Sequence, residues 1–307
     1  MLGILLGLGA AMGLAAASVI TRRGMLRASS NYFATISVFT GFLFFVPVTG
    51  ITGDLLAIGR LHWKACIFWA LSGIVHFALG RTWAYRSVQL VGTNRSNIVT
   101  SLSPIATVTL AVLLLREKVT PLEFLGIMFT LSGPLLILLK EKTAGKVSPL
   151  KSGSYGKEVD RPALILGVLY GLGAALFWGS SSIFIKFGLD AGGTPVAGTL
   201  IAYTAASAVI SPSAFCRSES RREICGGGGK ELQVAILAGL VTSVAQLLRY
   251  LSLGYGSVIV PTLMIRTMTI WVLLFAFVFN RELESFSRWV LLGNILIIAG
   301  TILIIIP

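Results

Sequence analysis

The sequence consists of a succession of long apolar segments separated by shorter polar connections. A helix needs about 20 apolar residues to cross the hydrocarbon core of a bilayer. The segments lack the period-two alternation of membrane β-strands. The ten predicted spans are 2–20, 32–50, 65–85, 96–115, 122–139, 163–185, 195–212, 232–253, 257–279 and 288–306. The sequence therefore predicts an all-α integral membrane protein with ten transmembrane helices.

The composition agrees with this fold class. Of the 307 residues, 55% are hydrophobic and only 12% are charged, whereas soluble domains carry about 25% charged residues. This excludes a soluble enzyme and a disordered chain, and three scattered cysteines do not indicate a disulfide framework. The 34 glycines predict close helix packing in lipid.

The two halves of the chain repeat each other. The segment Gly3–Ala11 reads GILLGLGAA, and Gly167–Ala175 reads GVLYGLGAA. An Arg-Glu pair at 116–117 also recurs at 281–282, at nearly the same offset. Five spans per half is an odd number, so the halves are expected to insert in opposite orientations, as in many secondary transporters.

The repeat also predicts the domain organisation. The first five-helix repeat is expected at 1–139 and the second at 163–307. Between them lies a basic polar linker at 140–162, which is the only long polar gap in the chain.

Three stretches resemble the EamA branch of the drug/metabolite transporter superfamily. They are LREKVTPLEFLGIMFTLSGPLLIL (115–138), its second copy NRELESFSRWVLLGNILIIAGTILII (280–305), and ALFWGSSSIFIKFGL (175–189). The resemblance covers nearly the whole chain. It implies a multi-pass transporter of small metabolites in the cytoplasmic membrane, often an exporter and not an enzyme.

The distribution of basic residues predicts an orientation. Connections after odd-numbered spans carry 17 Lys and Arg residues, and those on the other face carry 5. The positive-inside rule then places both termini outside the cell, whereas the resemblance implies termini inside. Both orientations stay open. The net charge of +13 is interpreted as a topological signal, so no nucleic-acid partner is expected.

Cationic groups lie within the predicted spans, but carboxylates do not. All twelve acidic residues fall in connections or near span ends. Arg266 lies near the middle of the ninth span, where a charge is costly and is a candidate functional group. Arg81 and Arg249 lie nearer the ends of spans three and eight. The alternatives are snorkelling to the interface for Arg81 and Arg249, and a structural bond to backbone carbonyls for Arg266.

Polar residues occupy matching positions on spans four and nine. Prolines interrupt the same two spans, and paired interruptions of this kind point to a transporter site. Ordinary helix–helix hydrogen bonding is the alternative. The candidate substrate-binding residues are Asn97, Ser101, Thr262 and Arg266, and the candidate helix breaks are Pro104 and Pro261.

Spans three and eight carry a second set of candidates, and span six adds a tryptophan. His76, near the centre of span three, is a candidate for proton coupling because histidine titrates near neutral pH. A packed, hydrogen-bonded histidine is its alternative. The further candidate substrate-binding residues are Arg81, Tyr85, Gln246, Arg249, Tyr250 and Trp178.

These observations predict a secondary transporter that works by alternating access. A cationic interior without acids favours a substrate with a carboxylate or phosphate, such as an amino acid or organic acid. The alternatives are a flippase-like subunit for a lipid-linked anion and, less favoured, a membrane-embedded enzyme. The expected partners are a small-molecule substrate and the lipid bilayer. No cofactor or metal is expected, and a monomer and a homodimer are both compatible with the glycine-rich faces.

Overall fold

The chain folds into helices that follow the predicted apolar segments. The structure is a computed structural model that describes residues 2–24, 30–91, 99–100, 102–143, 161–216, 229–255, 258–279 and 288–305. The helices are α1 Leu2–Gly24, α2 Ser30–Ile51, α3 Asp54–Ile58, α4 Trp63–Gly73, α5 Arg81–Val91, α6 Ser103–Leu115, α7 Pro121–Thr143, α8 Arg161–Asp190, α9 Pro195–Cys216, α10 Gly229–Leu253, α11 Ile259–Met264, α12 Met268–Phe279 and α13 Arg288–Ile305. The all-α prediction is therefore confirmed for this part of the chain.

Within the residues that the structure describes, six helical segments are long and apolar enough to cross a membrane. They correspond to predicted spans one, two, three, six, seven and eight. Shorter apolar helices occupy the fourth, fifth and ninth positions. The number of ten transmembrane helices stays a prediction, while a multi-pass helical membrane protein is what the structure supports.

The first helix of each repeat packs against helices of the other repeat. Helix α1 packs against α10, α11 and α12 of the second half. Helix α8, the counterpart of α1, packs against α4, α5 and α6 of the first half. Helices α2 and α9 contact each other, as do α7 and α13. The packing thus has the pseudo-two-fold pattern that the sequence repeat predicts.

Glycines permit close approach at the contacts that carry this packing. A Cβ atom on Gly73 in α4 would lie 2.0 Å from the carbonyl oxygen of Ala202 in α9. The fully buried Trp69 occupies the space left by Gly188, Gly193 and Gly198. These contacts show the close glycine-mediated packing expected from the composition.

Two of the predicted spans contain irregular turns. The third predicted span continues from α4 through a π-helix at Ile74–Gly80 into α5. The ninth has a 3₁₀ turn at Ile265–Thr267 between α11 and α12. Pro104 and Pro261 lie in the first turns of α6 and α11, where a missing backbone N–H has little cost. The irregular turn in the ninth span follows Pro261 rather than coinciding with it.

Candidate functional site

Polar side chains from the third, sixth and eighth predicted spans meet inside the helix bundle. The π-helix supplies one of them, and π-turns often occur at functional sites. The others lie on α8 and α10. We call this group the central cluster, and its members are His76, Trp178, Ser181, Ser182, Gln246 and Arg249.

Arg249 lies at the middle of the central cluster and is only 5% exposed. Its Nη2 donates to the hydroxyl of Ser181 at 2.9 Å and to that of Ser182 at 2.8 Å. Its Nη1 donates to Oε1 of Gln246 at 3.3 Å. The guanidinium is therefore held in one orientation from two helices. The alternative in which Arg249 snorkels to the membrane interface disagrees with this burial.

His76 joins the same network through both ring nitrogens. Its Nδ1 lies 3.0 Å from Oγ of Ser181 and 3.4 Å from Nη1 of Arg249, and its Nε2 lies 3.5 Å from Nε2 of Gln246. The backbone carbonyl of His76 accepts from the indole N–H of Trp178 at 3.2 Å. Trp178 therefore fixes the backbone that carries the histidine. Its indole ring packs against Gly80, where the side chain of any other residue would collide with it.

The charge of Arg249 has no carboxylate in contact with it among the residues that the structure describes. Its partners there are hydroxyl, amide and imidazole groups. Arg81 and Arg249 both act electrostatically on His76, and Arg249 acts on Arg266. An uncompensated buried charge costs several kcal/mol. The interior of the bundle is thus a positive environment suited to an anion.

Arg266 lies apart from the central cluster and contacts the other repeat. Its Nη2 donates to the hydroxyl of Ser103 at 2.5 Å. Ser103 begins α6, and its carbonyl accepts from the hydroxyl of Thr107, which also donates to the carbonyl of Gly179. The half-buried Arg266 therefore connects the ninth span to the fourth span. The fourth span in turn contacts the sixth through Thr107 and Gly179.

The other candidates have different surroundings. Tyr250 is fully buried, and its hydroxyl lies 2.9 Å from that of Ser72. The guanidinium of Arg81 lies over the ring of Phe77 at 5.4 Å. The buried hydroxyl of Thr262 has no hydrogen-bond partner within the described ranges. Asn97, Ser101 and the side chain of Tyr85 lie outside the described residues.

Sequence reasoning missed two side chains that hold the arginines, Ser182 and Ser103. Ser182 matches Ser18 in the repeat, and it lies in a run of three serines on an apolar helix, which is a usable signal. Ser103 corresponds to Met268 at the offset of 165. A search for polar residues shared by both repeats therefore passes over it.

The described residues contain no group of three or more His, Cys, Asp or Glu side chains able to hold a metal ion. The chemistry that the site offers is hydrogen bonding and charge. The guanidinium groups suit a planar carboxylate or a phosphate, which they bind with two parallel hydrogen bonds.

Comparison with known proteins agrees with the fold. Among the solved structures that match is a crystal structure with a TM-score of 0.73 over 98% of this chain and 95% of its own, at 16% sequence identity. At that identity the likeness shows the fold alone. No curated protein matches this chain. The sequence model of the EamA-like transporter family matches residues 1–139 and 165–306. The chain therefore belongs to the EamA-like transporter family, within the drug/metabolite transporter superfamily, and is a multi-pass membrane transporter of the kind that acts on small molecules.

Proposed function

We propose that this protein is a secondary transporter of a small metabolite with a carboxylate or phosphate group, and that it exports this metabolite by alternating access. The observation that carries the proposal is the buried guanidinium of Arg249, which contacts no carboxylate in the described part of the chain. A substrate anion supplies the missing opposite charge.

The central cluster supports a specific division of roles. Ser181 and Ser182 hold Nη2 of Arg249, while Nη1 faces Gln246 and His76 at longer distances of 3.3 and 3.4 Å. These longer contacts are the ones that a carboxylate replaces most easily. Arg249 is therefore the main anion ligand in this proposal, in place of Arg266, which the sequence alone favours.

Arg266 and Arg81 act as secondary charges. Arg266 is held by Ser103 and lies within electrostatic reach of Arg249. Arg81 is half-buried at the start of α5. Both attract an anion into the bundle without being its first contact. Whether His76 moves a proton with the substrate stays a prediction of the sequence.

The experiment that tests this proposal is a transport screen in proteoliposomes. Purified protein is reconstituted, and a panel of amino acids, organic acids, sugar phosphates, neutral sugars and cationic amines is assayed for uptake and efflux. We expect transport of one or more anion-bearing solutes. Transport restricted to cationic solutes contradicts the proposal. Movement of a lipid-linked anion without any soluble solute favours the flippase alternative.

Replacing Arg266 by glutamine is expected to lower the apparent affinity for the anionic substrate about tenfold, because one nearby positive charge is lost. The measurement is the concentration dependence of transport in proteoliposomes. Arg60→Gln is the matched control, since Arg60 is exposed in the connection after α3. Unchanged affinity in Arg266→Gln for every accepted substrate removes Arg266 from the anion site.

A further inference from the structure

Glu117 connects the two repeats at one face of the bundle. Helix α6 ends at Leu115, and the next residue, Arg116, has a left-handed backbone with φ of 55°. This turn directs Glu117 to the second repeat, where its Oε1 accepts from the N–H of Val258 at 2.7 Å and its Oε2 from that of Ile259 at 3.4 Å. The carboxylate thus caps the start of α11 from another part of the chain.

Asp54 makes a second connection between the repeats. It begins the short helix α3, after the second span. Its Oδ1 accepts from the hydroxyl of Thr194 at 2.7 Å. The same hydroxyl accepts from the backbone N–H of Ala197 at the start of α9. In both contacts, therefore, an acidic side chain of the first repeat binds at the start of a helix of the second repeat.

Both connections lie at the same face. Asp54, Glu117 and Thr194 follow the second, fourth and sixth predicted spans, and Val258 lies at the start of the ninth, next to the connection after the eighth. In a chain that crosses the membrane at each span, the connections after even-numbered spans share one side, which we call the even face.

Buried apolar residues of both repeats pack together near the two acids. Val258 and Ile259 are fully buried. They belong to one hydrophobic cluster with Trp69 and Leu253, against which Leu115 packs. Residues of both repeats contribute, so an opening at this face has to separate this cluster and both acid contacts.

We infer that Glu117 and Asp54 are the polar latches that hold the even face closed, and that both contacts are released when the transporter opens to this side. The inference rests on the proposed alternating access. Hydrogen bonds to a carboxylate are roughly twice as strong as neutral ones. Loss of one such bond shifts the ratio of closed to open molecules by about tenfold or more.

The test measures access from the even face and needs no substrate. The reporter is Thr262→Cys, one turn beyond Ile259 along the helix, in a chain whose three native cysteines are replaced by serine. A membrane-impermeant maleimide is applied to intact cells and, separately, to inverted vesicles. A chain with Arg60→Cys, at an exposed site in an even connection, identifies which preparation presents the even face.

We expect slow labelling of the reporter from the even face in the parent chain and about tenfold faster labelling with Glu117→Gln. Asp54→Asn is expected to act in the same direction. Glu123→Gln is the matched control, because that carboxylate, in the first turn of α7, accepts from the backbone N–H of Thr120 in the same repeat. Its labelling rate is expected to equal that of the parent.

The inference is overturned if Glu117→Gln and Asp54→Asn both leave even-face labelling at the parent rate. A similar increase of the labelling rate in Glu123→Gln also overturns the inference, because loss of any negative charge at this face would then be enough to cause it. Glu117→Asp, which shortens the side chain, provides a second variant should Glu117→Gln fold poorly, and melting temperatures identify folded variants. If the transport screen finds no transported solute, the proposed function is contradicted, but the labelling rates measured here are unaffected.

Discussion

Substituting Arg249 by glutamine is expected to reduce substrate affinity about 30-fold or more, and to reduce transport accordingly. Removing one partner of a buried charge pair typically costs about 2–5 kcal/mol, which corresponds to factors of this size. Glutamine also leaves the hydroxyls of Ser181 and Ser182 without their guanidinium donor. The measurement is binding and transport of the solute identified in proteoliposomes, per folded protein.

A graded series sharpens this prediction. Arg249→Lys keeps the charge but cannot donate to both serines and Gln246, because an ammonium lacks the planar fork of a guanidinium. Its affinity is expected between those of the parent and Arg249→Gln. Ser182→Ala removes one of the bonds that orient Arg249, and a loss of a few fold is expected. Parent-like binding by a folded Arg249→Gln variant contradicts the proposed anion site.

Substituting Gly73 by alanine is expected to have the largest effect on stability. The added methyl group would lie 2.0 Å from the carbonyl oxygen of Ala202, so α4 and α9 have to move apart. Overpacking of a well-packed contact costs about 1–3 kcal/mol, and the upper end is expected because backbone on both sides resists the shift. A thermal melt of the purified protein in detergent measures the loss.

Gly50 offers the matched control for this substitution. It also lies in a helix, α2, but a Cβ atom there meets nothing within 4 Å. Gly50→Ala is expected to leave the melting temperature unchanged or to raise it slightly, since alanine favours helix over glycine by roughly 0.5–1 kcal/mol. Equal melting temperatures for both variants disprove the close contact between α4 and α9.

The internal repeat was the most informative sequence feature for the fold. At an offset of 165 residues it aligns Arg81 with Gln246 and Tyr85 with Tyr250, which indicates that the third and eighth spans occupy equivalent places. The structure agrees, because α4 and α5 pack on α8 as α10 packs on α1. Such equivalence is readable from sequence, since residues at matching repeat positions acquire matching surroundings.

The sequence is a poorer guide to which arginine is the more buried. It favours Arg266 over Arg249, because depth along a single span is its only measure of burial. The structure buries Arg249 among three helices and leaves Arg266 half-buried against Ser103. Depth in a span does not reveal which side of the helix faces its neighbours. Which of the two arginines is more deeply buried is therefore visible only in the packed helix bundle.

The sequence is enough to predict a helical membrane protein with two related halves, and it indicates the transporter family. These properties depend on segment length, apolarity and local motifs, which the linear chain displays. The contact of Ser182 with Arg249 and the cap that Glu117 provides to a helix of the opposite repeat are seen only in the folded chain. Those contacts join residues 67 and 141 positions apart, and the rotation and docking of whole helices bring them together.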